Sequence, residues 1–164
     1  MNFEKFDAYN DAIFDATVLF NEQFADDEDG EKLKAELKER QVAVVNGVPV
    51  VVWDHCIAAT LNLLPEYEFG VAYFADLNAI IFNTATWNCP HRAAILAHES
   101  GHAALGHTTV TDAQEIEADE YSVNAGHDMV AALKHMRSEV LRFTENTSVQ
   151  ASVAGLDMRI AVLS

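Results

Sequence analysis

The chain has 164 residues, 50% hydrophobic and 22% charged, a balance that suits one globular domain with a buried core rather than a disordered segment. With 26 acidic residues against 10 Lys and Arg and a net charge of -16, no basic patch for nucleic acid or an anionic membrane can be assembled. The start Met1-Asn2-Phe3-Glu4 has no signal-peptide character and no run reaches transmembrane length, so the expectation is a soluble, cytoplasmic protein without membrane insertion.

Phe3, Phe6, Tyr9, Ile13, Ala16, Phe20 and Phe24 recur at helical spacing and predict an amphipathic helix over 3–24. Asp26 to Gly30 reads as an acidic, solvated turn, followed by a short charged helix from Glu31 to about Arg40. The pattern then changes to β-branched runs, Val42 to Val45 and Val48 to Trp53, around the hairpin dipeptide Asn46-Gly47. Pro49 removes a ladder donor and suggests a sheet edge. A short helix over 55–64 is expected to stop before Pro65, and Phe69 to Phe74 with Ala79 to Asn83 form a second strand pair. Cys56 and Cys89, in no metal-like spacing, read as free small hydrophobes in a reducing compartment.

From Pro90 the chain reads as helical, with Asn88 or Cys89 as cap and Gly106 near the end of the first helix. Thr111 to Gln114 has capping-box spacing for a second helix reaching about Asn124. A third runs from about Asp128 to Phe143, and the last twenty residues are assigned no element.

The first of these helices carries His98-Glu99-Ser100-Gly101-His102. Histidines four apart lie about 40° apart around a helix and one turn apart along it, so both imidazoles reach one Zn²⁺. Glu99, turned about 100° from His98, stands beside the metal as a general base. A hydrolytic zinc site takes three protein ligands and leaves a corner for water. His107 falls in the wrong register for a third histidine and is expected to cap the helix C-terminus. Glu115 is the better third ligand: a helix folding back antiparallel brings its first turn beside His102. Asp119, on the same face, would accept the other ring N–H of a ligating histidine, while Glu117, about 200° away from Glu115, faces solvent. Tyr121, His127 and His135 are candidate donors to the oxyanion. His55 and His91, although adjacent or close to cysteines, read as structural.

With Leu105-Gly106-His107-Thr108, Glu115-x-Glu117-Ala118-Asp119 and Ala125-Gly126-His127-Asp128, the segment 79–137 resembles the gluzincin metallopeptidases. It is most similar to the CAAX-prenyl-protease and heat-shock-peptidase family and its soluble minigluzincin relatives. The resemblance implies His98, His102 and Glu115 as zinc ligands, Glu99 as catalytic base and Asp119 as the acid behind a ligand. It also implies a strand before the zinc helix that holds substrate. The transmembrane helices of the family's membrane members are missing here, and the interval from His102 to Glu115 is short for the larger enzymes. A second similarity is to the repressor-cleaving ImmA/IrrE type of protein.

The fold expected is α+β and zincin-like: a single domain over 1–164, a helical segment over 1–40, then a small twisted sheet packed on the zinc helix. The function expected is a zinc-dependent endopeptidase with one Zn²⁺ per chain, acting on peptide or protein substrates. The strand Ile80 to Asn83 would take an extended peptide at the sheet edge. Two other readings are a regulatory zinc protein acting on one partner and a non-catalytic module stabilised by metal.

Overall fold

The computed structural model describes residues 27–54, 70–143 and 147–164; the helices expected over 3–24 and 55–64, and Cys56, lie outside them. The architecture is α+β, with helix α1 (Asp27–Glu39), strands β1 (Gln41–Val45), β2 (Val48–Val52), β3 (Val71–Phe74) and β4 (Ala79–Phe82), and then helices. These are α2 (Thr84–Trp87), α3 (Arg92–Leu105), α4 (Asp112–Asn124), α5 (Met129–Val140) with a 3-10 turn Leu141–Phe143, and α6 (Thr147–Leu163). No helix among the described residues is long and apolar enough to cross a membrane.

The run expected as an acidic turn is instead the opening of α1, which begins at Asp27. Acidic residues suit the positive end of a helix dipole, and that preference prevails over their tendency to stay in a solvated loop. β1 and β2 form the expected hairpin, with Asn46 at φ 51° and Gly47 at φ 82°, the double left-handed turn whose twist matches that of the strands.

The sheet order is β1-β2-β4-β3, with β2 parallel to β4 and the two outer pairs antiparallel. Two expectations fail here. Pro49 does not mark a sheet edge, since β2 is paired on both sides. It lies opposite Val44, one step from the narrow Val45–Val48 pair, where no donor is required across the hairpin, and pairing with β4 starts only at Val50. Ile80 to Phe82 belong to an inner strand, so they offer no free edge to a peptide. Ala79-Ile80-Ile81-Phe82 is buried throughout, as expected of a strand covered on both faces.

Alternation along the strands divides the core. Val50, Ile80 and Phe82 face Ile95 of α3, Met129, Leu133 and Val140 of α5, and Leu156 of α6. Val51, Ala79 and Ile81 face the other way, toward Leu37 of α1. Each large side chain fully buried here contributes about 1.5–3 kcal/mol, so the sheet is held between α1 and the helical layer.

Asn83 accepts a bond from Thr86 N (2.8 Å) and so caps α2, an element absent from the sequence reading. The metal-motif helix consequently starts at Arg92, with no side-chain cap, instead of being capped by Asn88 or Cys89. Cys89 is partly buried against the core, its Sγ accepting from His91 N at 3.3 Å. α3 ends at Gly106 (φ 71°), Thr111 caps α4 by accepting from Gln114 N, and Asp128 caps α5, which stops at Val140. The unassigned C-terminus is α6, and its placement matters to the site.

Candidate metal centre

α4 runs antiparallel to α3. Glu115 meets His98 and His102, Ala118 and Tyr121 close on Gly101, and Ser122 Oγ donates to the carbonyl of Ala94 at 2.9 Å. The close approach depends on Gly101: a Cβ there would lie 3.0 Å from Tyr121 Cβ and 3.2 Å from Ala118 Cα. A side chain at that position would push the helices apart and take Glu115 with them.

Three donor atoms converge as a result. His98, His102 and Glu115 each offer one atom, all within 4.8 Å of one another. The two Nε2 atoms are 3.1 Å apart, His102 Nε2 lies 3.3 Å from Glu115 Oε1, and His98 Nε2 lies 3.5 Å from Oε2. Bonds of 2.0–2.1 Å arranged tetrahedrally put donors about 3.3–3.4 Å apart, so the side chains are spaced to hold zinc. Charge agrees with spacing. The carboxyl groups of Glu99, Glu115 and Asp119 face a single guanidinium, Arg159, and a divalent cation would bring that group to neutrality.

Each candidate ligand has a second contact behind it. Nδ1 of His98 lies 2.8 Å from Asp119 Oδ1, close but without the alignment of a good ring N–H···O bond. Asp119 is fully buried and accepts two bonds from Arg159, each 2.7 Å, whose third nitrogen reaches Glu115 Oε2 at 2.7 Å. Burial alone would raise Glu115, but the two imidazoles and Arg159 outweigh it and hold the carboxyl well below its ordinary range. His102 has a different support: its Nδ1 lies 2.9 Å from Nδ1 of His107, whose Nε2 lies 3.0 Å from Glu117 Oε2.

The assignment of His107 as a helix cap is therefore corrected. Its backbone N–H does bond the carbonyl of His102, but its imidazole turns onto the His102 ring and away from the helix carbonyls. Glu117 is mainly exposed, as its helical phase requires, yet it is the partner of that imidazole.

Glu99 is buried beside the cluster and accepts the main-chain N–H of Tyr73 at 2.8 Å. Burial pushes its carboxyl up from the usual range, against the pull of His98 and His102, toward the poise a general base requires. Tyr73 is on β3, an outer strand of the sheet. Among the described residues, the outer strand beside the candidate site is thus β3 rather than Ile80 to Asn83.

None of the three candidate oxyanion donors joins the donor group. Tyr121 is nearest, its Cβ against Gly101, but its hydroxyl accepts from Asn46 Nδ2 at 3.3 Å in the hairpin turn. His127 lies beyond the C-terminal end of α4. His135 packs on His91 with ring centroids 5.1 Å apart, about 10 Å along α3 from His98.

Sequence reasoning missed Arg159, the contacts of His107 with His102 and Glu117, and Tyr73. Arg159 did leave a signal: it is the one basic residue in 147–164, and a lone arginine in an apolar helix commonly marks a buried pair. No protein-family model, curated protein or solved structure matches the chain.

Proposed function

We propose that the protein is a zinc-dependent peptidase. The observation that carries this reading is the His98–His102–Glu115 donor set, with donor atoms at tetrahedral spacing and the buried carboxyl of Glu99 on the same helix. Zinc bound there would supply Lewis acidity and make water a nucleophile near neutral pH. Glu99 takes the proton of the attacking water as its oxygen adds to the peptide carbonyl carbon, and delivers that proton to the amine nitrogen as the C–N bond breaks. The edge of β3 lies beside Glu99, and an extended peptide added to it would present its main chain to the base with loose side-chain selectivity. Arg159 and Asp119 orient the ligands and keep their charges compensated.

The test is metal analysis of purified protein together with cleavage of a peptide library. Wild-type protein should hold one zinc and cut peptides, Glu99→Gln should keep the zinc and lose cleavage, and Glu115→Ala should lose the metal. Cleavage surviving in Glu99→Gln, or native protein that takes up no zinc, overturns the reading.

A further inference from the structure

His102 holds a metal through Nε2 only if its ring proton sits on Nδ1. Nothing within His102 itself decides this, because a neutral imidazole is free to adopt either tautomer. The surroundings decide it. Nδ1 of His102 faces Nδ1 of His107 at 2.9 Å, and two nitrogens at that distance share one proton: one donates and the other accepts. Nε2 of His107 faces Oε2 of Glu117 at 3.0 Å, and an ionised carboxylate accepts only. A neutral His107 therefore carries its proton on Nε2 and has a bare Nδ1. His102 must then supply the proton between the two rings, leaving its own Nε2 bare and aimed at His98 and Glu115.

We propose that His107 and Glu117 are positioning residues that select the metal-binding tautomer of His102 and fix its ring angle. An acid on the outer face of α4, 58% exposed, in this way sets the ligand state of an imidazole that is 9% exposed on α3. The two candidate ligand histidines are served differently: His98 leans directly on Asp119, which Arg159 holds in turn, and His102 on an exposed carboxylate through a second ring. The proposal rests on the metal-centre part of the function above and is independent of peptide hydrolysis.

Two measurements test it. The first needs no substitution: long-range ¹H–¹⁵N spectra of the imidazoles in metal-free and zinc-loaded wild-type protein. His102 is expected as Nδ1–H and His107 as Nε2–H in both; His107 as Nδ1–H overturns the relay. The second is zinc affinity by chelator competition. His107→Phe keeps a ring but removes the acceptor and should weaken zinc by about 10- to 100-fold. His107→Asn places an amide oxygen where Nδ1 was and should recover most of that loss. Glu117→Gln should weaken zinc by a smaller factor, with the exposed Glu120→Gln as control. Equal losses in the Phe and Asn variants would reduce His107 to a packing residue and overturn the proposal. Should wild-type protein bind no zinc, the metal-centre reading fails, and the metal-free tautomers still decide the relay.

Discussion

Arg159→Met is the substitution whose cost follows most directly from the contacts. The guanidinium makes two bonds of 2.7 Å to Asp119, which is 0% exposed, and one of 2.7 Å to Glu115, which is 20% exposed. Methionine fills much of the volume, so the loss is mainly electrostatic: among the described residues Asp119 keeps its contact with His98, and Glu115 keeps the two imidazoles. Removing one partner of a buried pair costs about 3–5 kcal/mol, and the partial exposure and remaining partners of Glu115 put the expectation at the lower end, about 3 kcal/mol. For the metal-free protein, urea denaturation at pH 7 should show this as a lower midpoint with an unchanged slope. Adding Asp119→Asn to Arg159→Met should cost less than the two separate losses combined, because one buried charge then has no partner left to miss. A loss below about 1 kcal/mol, the range of exposed ion pairs, would refute the claim that Arg159 compensates buried carboxylates.

The site implies three further outcomes. Gly101→Ala should destabilise the protein by about 1 kcal/mol, since overpacking against Tyr121 and Ala118 costs about 1–3 kcal/mol and the helix-propensity gain returns at most about 1. Its zinc affinity should also fall, and an alanine variant that is more stable with unchanged affinity would contradict the close-contact argument. In metal-free protein burial works to discharge His98, but Asp119, Glu115 and Glu99 beside it prevail and raise it to about 9. Zinc must displace that proton, so apparent affinity should rise by up to about tenfold per pH unit from pH 7 and level off near pH 9; a flat profile by chelator competition would refute it. The same shift lies above the ordinary histidine value of 6.5, so the stability it confers on metal-free protein is complete below about pH 6.5 and is lost as pH rises through about 9. Denaturation midpoints across that window check the sign.

Local rules made part of the molecule legible from residue order. Helical phase alone puts His98 and His102 on one side of α3, Glu115 and Asp119 on one side of α4, and Glu117 away from both. Asn46-Gly47 specifies its hairpin because both positions need positive φ, and Thr111 specifies the start of α4 because its hydroxyl reaches the N–H of Gln114. Such features depend on neighbours within a few residues, where backbone geometry leaves little choice.

What escaped is what depends on residues far apart in the chain. Whether β4 is inner or outer is decided by which strands flank it, and its uniformly apolar sequence fits either side of that choice. The bond from Tyr73 N–H to Glu99 spans 26 residues, and Arg159 reaches Asp119 across 40. His107 is only five residues from His102, yet its orientation depends on how the turn at Gly106 sets α4, and Glu117 with it, against the end of α3. Spacing along one helix determined which side chains could share an ion. Only the packing of α3, α4 and α6 decided which charges stand behind them, because a buried charge needs a partner and the chain supplies it from wherever the fold brings one near.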